Sequence, residues 1–276
     1  MFELPEYTTL ARQVNKTISG KTIRRGTLGN SPHKFVWYNR SHEEFKKLIK
    51  GKTVGTAYPL GRWMIIHMEP GYTLILGECG GKVLYHPAGS AIPKKYHLYL
   101  EFEDSSFLTV TTQMWGAVEL YEEGKERERK YIKDMKLTPL DKKFTYQYFS
   151  ELIDTILERG KQSVKGLLTQ NQDIPGLGNA IAQDIMYNAG LHPKHPIGEL
   201  TETERKHLYQ VIINTVQDVI NKNGRNDEYD LFGNPGNYIR KMDNKSAGKP
   251  CSVCGSIIQK IQYLGGAAYF CPTCQK

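Results

Sequence analysis

Four cysteines close to the end of this 276-residue sequence have the spacing of a metal site: Cys251, Cys254, Cys271 and Cys274 read C-x2-C-x16-C-x2-C. Two intervening residues let both thiolates of a pair turn onto one ion. Two such pairs complete the tetrahedral shell of a structural zinc and leave no position open for catalysis. Between the pairs, Ser256–Phe270 holds IIQKIQYL and AAYF around Gly265-Gly266, which predicts two short strands joined by a glycine turn, a zinc ribbon. The competing assignment is a pair of disulfides. It is disfavoured because the start, MFELPEYTTLARQ, lacks a charged stretch leading into an apolar one, so a reducing compartment is expected. The fifth cysteine, Cys79, reads as a small core residue rather than a reactive thiol.

A second segment, Gln172-Asp173-Ile174-Pro175-Gly176-Leu177-Gly178-Asn179, opens a helix. Gly176 and Gly178 permit close backbone approach, and Asn179 falls at the helix N-terminus, where exposed amides make a phosphate site. The same residues also suit a plain connector between two helices.

The elements that must position these motifs divide the chain. Residues 1–130 are rich in β-branched and aromatic runs (TVGTAYPL, RWMIIHM, YTLILGE, KVLYH, HLYLEFE, FLTVTTQMWGAVEL), with turn signals at Glu69-Pro70-Gly71 and Glu103-Asp104-Ser105. Short strands at this spacing predict an antiparallel sandwich or barrel. Helical stretches interrupt it at Tyr7–Ile18 and His42–Ile49, the second opening on a capping box of Ser41 and Glu44. From Tyr146 the periodicity is helical: FSELIDTILERG, SVKGLLTQN, NAIAQDIMYNAG and ETERKHLYQVIINTVQDVINKN. The expected division is a β-rich domain over 1–133, a linker over 134–142, a helical domain over 143–246 and the zinc finger over 247–276.

Composition is that of a folded protein, with 39% hydrophobic and 24% charged residues. No run approaches the roughly 18 apolar residues that span a bilayer. The net charge is +8 and the pI about 9.1. The excess is uneven: residues 1–52 carry 11 basic and 4 acidic side chains, and residues 240–276 carry 6 and 1. Positive ends on two domains suit a polyanion lying across both; ordinary solubilising surface charge accounts for the same numbers.

In chain order, the sequence has Glu3-Leu4-Pro5-Glu6, a β-rich domain, Gly176–Pro193 (GLGN, a helix, then AGLHP) and finally KPCSVCG…YFCPTCQK. That succession resembles the formamidopyrimidine-DNA glycosylase/endonuclease VIII family of base-excision repair enzymes over the whole chain. Gln113–Gly116 (QMWG) and Asp230–Tyr238 (DLFGNPGNY) look like a divergent, endonuclease VIII-like branch. The resemblance implies an α+β multidomain fold: an N-terminal β-sandwich with flanking helices, a helix-two-turns-helix domain and a C-terminal zinc-ribbon finger. It implies removal of an oxidised base from DNA, then AP-lyase nicking. In that chemistry an N-terminal secondary amine, a proline exposed by loss of Met, attacks the sugar C1′; a Schiff base forms and β-elimination follows. An α-amino group, with a pKa of about 7.7–8.0, keeps a neutral fraction near pH 7 for such an attack.

Carried onto this sequence, the family's acid/base glutamate is Glu3, with Glu6 beside it, and phosphate contacts fall on Lys165 and Asn179. The sequence departs from the family at several positions. Phe2 stands at the proline position, Arg62 at a hairpin lysine, Gly266 at a zinc-finger arginine and Glu78 near a void-filling methionine, while Gln113 and Trp115 take the wedge positions. Arg62 keeps a charge for a phosphate but does not deprotonate in proteins. A bulky second residue normally leaves the initiator Met in place, so the expected nucleophile is the Met1 amine, roughly 3.5 Å along the chain from its usual place. A misplacement of about 1 Å can cost on the order of 10²-fold in rate. Each residue also has a plainer assignment: Glu3 as an ion pair to the terminal amine, Lys165 as a solvated helix lysine, Trp115 as sandwich core.

Two functions of different class follow. One is a glycosylase with AP-lyase activity using the terminal amine and Glu3. The other is a catalytically impaired damaged-DNA-binding protein on the same scaffold, favoured by Phe2 and Gly266. A zinc-ribbon RNA-binding protein would explain the cysteines and charge, but neither ELPE nor GLGN. The expected cofactor is one structural Zn2+. The expected partner is double-stranded DNA with oxidised bases or abasic sites, with no membrane association, and the chain is expected to act as a monomer in the bacterial cytoplasm, at the nucleoid.

Overall fold

In the computed structural model, which describes residues 1–30 and 34–276, the first helix, α1 (Leu4–Thr17), begins at Leu4 rather than at Tyr7. The earlier start has a local cause. Glu3 is the N-cap and forms a capping box with Glu6, and Pro5 sits in the first turn, where no amide donor is needed. The described residues form two compact units, one of residues 1–135 with 219–238 and one of residues 136–218 with 239–276.

The first unit is the β-rich one. Its strands are β1 (Ile23–Leu28), β2 (Val36–Tyr38), β3 (Thr53–Leu60), β4 (Trp63–Glu69), β5 (Tyr72–Gly77), β6 (Gly81–His86), β7 (Leu98–Phe102), β8 (Phe107–Thr112) and β9 (Gly116–Glu122). They make a four-stranded sheet, β1-β7-β8-β6, and a five-stranded sheet, β2-β9-β5-β4-β3, antiparallel except for β2 beside β9. Alternate residues of both sheets share one core: Val83, Leu98, Leu100, Leu108 and Val110 from one, Met64, Ile66, Leu74, Leu76, Val118 and Leu120 from the other. Val14, Leu10 and Tyr7 bring α1 into the same core, and Phe45 and Ile49 bring α2 (His42–Ile49). The expected capping box of α2 is present, Glu44 N–H donating to Ser41 Oγ (3.2 Å).

Two residues settle local features that pattern reading misses. The pairing of β3 with β4 slips between Val54 and Ala57, and there Asn15 of α1 accepts from the Ala57 amide and donates to its carbonyl, both at 2.7 Å. Gly77 faces Trp63 across β5 and β4 so closely that an added Cβ would lie 1.6 Å from the ring. That glycine lets the indole lie flat on the outer face of the sheet beside Ile65 and Ile75.

After a short helix, α3 (Lys130–Lys133), the second unit holds α4 (Tyr146–Glu158), α5 (Val164–Thr169), α6 (Asn179–Asn188) and most of α7 (Glu202–Asn221). Residues 170–178 make two successive turns between α5 and α6, with positive φ at Asn171, Gln172 and Gly176. Strands β10 (Gln259–Tyr263) and β11 (Gly266–Phe270) form the finger hairpin. Leu264 and Gly265 both have positive φ, as a tight two-residue hairpin turn requires. The architecture is the α+β arrangement expected from the sequence: a β domain, a helix-two-turns-helix domain and a zinc finger. Residues 219–238, expected within the helical domain, pack with the β-rich unit.

Gly77→Ala should cost about 1–3 kcal/mol or more, because the methyl cannot be placed without moving Trp63. Urea unfolding followed by tryptophan fluorescence measures it.

Candidate active site

The amino terminus is anchored rather than frayed. The Phe2 side chain is fully buried in the sandwich core, edge-on to Tyr7 with ring centroids 5.6 Å apart. Its amide donates to the Cys79 carbonyl (2.9 Å), and the Tyr7 hydroxyl accepts from the Cys79 amide (3.0 Å). Phe2 N is therefore a hydrogen-bonded peptide nitrogen with no lone pair to offer. Burial pushes the Cys79 thiol up to about 12, which makes it inert, as expected of a core residue.

Met1 projects from this anchor and is 40% exposed. Its amine donates to Glu228 Oε1 at 2.6 Å, and its carbonyl accepts from Arg225 Nη2 at 2.8 Å. Arg225 is 2% exposed. It donates from Nε to Glu6 Oε1 (2.9 Å), from Nη2 to Glu6 Oε2 (3.2 Å) and from its backbone amide to Glu6 Oε1 (3.1 Å). Glu228 lies 3.4 Å from Nη2 and Glu3 lies 3.9 Å from Nη1. Gly224, at φ +99°, takes a left-handed backbone conformation beside Glu6 that favours glycine. Burial works against the charge of Arg225, but Glu6 and Glu3 outweigh it and hold the guanidinium protonated.

Three carboxylates thus face two cations. Burial, with Glu6 adding to it, raises the Glu228 carboxyl above the ordinary carboxylate range against the pull of the amine and Arg225. The plainer assignment of Glu3 as an ion pair to the terminal amine does not hold: Glu228 takes that place, while Glu3 caps α1 and faces Arg225.

Arg62, at the turn between β3 and β4, lies with Nη1 3.9 Å from Met1 Sδ and pairs with Glu78 (3.2 Å). Its charge is shared with that carboxylate before any phosphate arrives. Gln113 and Trp115 lie on the β8–β9 connection, which backbone hydrogen bonds tie to Gly80, the residue against which Met1 rests. Trp115 is 41% exposed and stacks on Trp37 (5.2 Å, 6° between planes) with Phe35 tilted beside it (4.7 Å), so it is not sandwich core. The first unit thus brings together Met1, Phe2, Glu3, Glu6, Arg62, Gln113 and Trp115.

Lys165 and Asn179 belong to the second unit. Lys165 is 1% exposed, and its ammonium donates to the carbonyls of Tyr263 (2.5 Å), Gly266 (3.1 Å) and Ala267 (3.5 Å). All three protons are directed at the finger hairpin, and burial lowers its pKa. Lys165 is neither a solvated lysine nor positioned to meet a phosphate; it holds the hairpin turn. Asn179 opens α6 on the surface and donates to the Ala267 carbonyl (3.3 Å), leaving a second amide hydrogen available.

The cysteine sulfurs all lie within 4.8 Å of one another, the sole such cluster of metal-ligand type among the described residues. Cys251 and Cys274 are 3.9 Å apart and Cys254 and Cys271 3.4 Å. Tetrahedral Zn–S bonds of about 2.3 Å put sulfurs about 3.8 Å apart, so the set fits one structural zinc. The Tyr187 hydroxyl, 3.2 Å from Cys251 Sγ, orients that ligand from α6.

Three family models cover the chain. The formamidopyrimidine-DNA glycosylase N-terminal domain matches residues 1–138, the formamidopyrimidine-DNA glycosylase H2TH domain residues 135–228, and a zinc finger found in FPG and IleRS residues 248–276. The chain belongs to the formamidopyrimidine-DNA glycosylase family. Relatives named formamidopyrimidine-DNA glycosylase include one from Bacillus cereus, 25% identical across 100% of this chain and 99% of the relative. Another, from Halalkalibacterium halodurans, is 26% identical across the full length of both. A crystal structure of Lactococcus lactis Fpg with abasic-site DNA is similar at a TM-score of 0.85, with 25% identity over 99% of each chain. A structure of MutM with DNA containing carbocyclic 8-oxo-G gives the same values.

Arg225, Glu228 and Trp37 were not singled out in the sequence. Residues 224–237 read as a glycine-rich loop, and nothing in NGRNDEYD distinguishes a buried arginine from a solvated one. The loop is docked on the first unit: Gln13 of α1 bonds Asp230 and Leu231, and the Leu231 carbonyl accepts from Tyr85 of β6. Arg225→Met should lower stability by about 3–5 kcal/mol, because Glu6 and Glu3 are left buried without their counter-charge. Denaturant titration checks this.

Proposed function

We propose that this chain is a base-excision DNA glycosylase for oxidised bases that also cleaves the abasic site by β-elimination, through a Schiff base on the Met1 amine. The observation that carries the reading is the convergence of one exposed amine with Glu3, Glu6 and Glu228 around Arg225. It occurs in a family whose solved members include one bound to abasic-site DNA. Of the groups gathered there, Phe2 N is an amide, Cys79 is buried as a thiol, and Arg62 stays protonated. The Met1 amine becomes a nucleophile once it loses a proton.

Glu3, held in place as the helix cap, serves as the acid that protonates the ring oxygen of the sugar as it opens. Trp115, backed by Trp37, serves as the wedge that unstacks a base step, with Gln113 beside it. Asn179 and Arg62 contact phosphates. The partner is duplex DNA carrying an oxidised base or abasic site, bound by a monomer in the bacterial cytoplasm, and the branch is endonuclease VIII-like.

A second reading, damaged-DNA binding with impaired catalysis, is favoured by Phe2, which occupies the core where the family carries a free proline, and by Gly266. Borohydride reduction on abasic-site DNA separates the two, because a Schiff base becomes a covalent adduct and bound DNA does not. Adduct formation by the parent protein, and loss of cutting by about 10²–10⁴-fold in Glu3→Gln with unchanged DNA affinity, is the expected result. Absence of any adduct selects the binding reading.

Gly266 gives a further check. A Cβ there would lie 3.7 Å from the Asn179 side chain, and its backbone is outside the left-handed region, so an arginine fits without strain. Gly266→Arg should tighten binding to duplex DNA and steepen the dependence of log affinity on log salt by about 0.9 for one added phosphate contact. Fluorescence anisotropy across a salt series measures both.

A further inference from the structure

The ion pair of the Met1 amine with Glu228 goes beyond anchoring. We propose that Glu228 is the base that deprotonates the Met1 amine, with Arg225 as the positioning residue that holds amine and base in register. This rests on the reading of Met1 as the nucleophile.

Three observations carry it. Contact is direct, at 2.6 Å along a single amine–carboxylate hydrogen bond. Access is asymmetric: the Met1 side chain is 33% exposed and that of Glu228 11%, so the first residue is reached from outside while the proton acceptor is sheltered. Charge at the site is in surplus. Glu228 is faced by the Met1 amine, by Arg225 from its own loop and by Glu6 from α1; Met1 is further faced by Arg62, itself paired with Glu78. Three carboxylates against two cations leave room for one proton, and the carboxylate touching the amine is placed to take it. Arg225 fixes the geometry by donating to the Met1 carbonyl and lying against Glu228.

On an abasic site the step balances as follows. The ammonium gives a proton to Glu228, and the neutral amine adds to the C1′ aldehyde carbon, forming the N–C1′ bond. The carbonyl oxygen leaves as water and the protonated imine remains. Two of the ammonium's three protons end on that water, the first by way of Glu228.

The test uses the full chain and abasic-site duplex. Borohydride-trapping rates are measured from about pH 6 to about pH 9 for the parent, Glu228→Gln and Glu228→Asp, with adducts mapped by mass spectrometry. Gln keeps an acceptor for the amine hydrogen bond but cannot take the proton. The expected result is an adduct on Met1, a fall on the order of 10²-fold at neutral pH in Glu228→Gln, recovery of that variant as pH rises, and partial rescue in Glu228→Asp. Thermal melting of each variant, and unchanged affinity for uncleaved duplex, separate this from misfolding. Equal rates and pH profiles in parent and Glu228→Gln would overturn the proposal while leaving the Schiff-base reading intact. An adduct on an internal lysine overturns Met1 as nucleophile and Glu228 with it. No adduct in the parent removes the lyase reading itself.

Discussion

The first unit's functional end depends on one buried guanidinium. Arg225 is surrounded by Glu6, Glu3, Glu228 and the Met1 carbonyl, and it is the cation that faces all three carboxylates from within the core. A buried ion pair of this kind contributes little net stability against an apolar replacement, because desolvating the charges offsets their attraction. Its effect is on specificity of arrangement. It ties the loop of residues 224–238 to the first turn of α1 and both to the first peptide bond. Chain ends usually fray; here the first two residues are held from the core side by the Phe2 ring and the Cys79 carbonyl, and from the outer side by Arg225.

That two-sided hold gives the Phe2 substitution a physical meaning. With the Phe2 ring in the sandwich core, the second backbone nitrogen is a bound amide and the free amine is that of Met1. The displaced amine does not drift into solvent, because Glu228 receives it and Arg225 fixes the carbonyl behind it. Phe2, Arg225 and Glu228 thus hold the first residue jointly. A base and a nucleophile within hydrogen-bonding distance, the base itself oriented by a third group, is the arrangement that activates weak nucleophiles generally.

Much of this was legible in the sequence, for reasons that can be stated residue by residue. The zinc finger is legible because thiolate spacing dictates ligand geometry directly. Strands β3–β9 announce themselves through β-branched and aromatic runs between turn residues, and α4 to α7 through apolar periodicity. The start of α1 was missed because its signal is the reciprocal bonding of Glu3 and Glu6, and glutamate is an uncommon N-cap. Arg225 and Glu228 were not legible, because a polar, glycine-bearing loop reads as solvated. Only the contact of Arg225 with α1, more than two hundred residues earlier in sequence, takes it out of water. Lys165 shows the converse: its position before the two-turn segment suggests a phosphate contact, but its partners are finger carbonyls, which no local pattern encodes.

The second unit's chemistry follows from where Lys165 points. With its three protons on the carbonyls of Tyr263, Gly266 and Ala267, the lysine fixes the hairpin turn against α5, and Gln183 and Asn179 donate to the same Ala267 carbonyl. The finger's tip is therefore rigidly held yet bare, since Gly266 offers no side chain to a phosphate. The hairpin turn is braced by these bonds and presents backbone rather than a charged side chain at Gly266. The finger and the segment leading into it carry Lys241, Lys245, Lys249 and Lys260, spread along the sequence. Charge of that kind binds a polyanion through its field, with strong salt dependence and little register. On the proposed reading, register at the reacting sugar comes from the first unit, which carries the anchored amino terminus with its buried charges and the stacked, exposed pair Trp37 and Trp115.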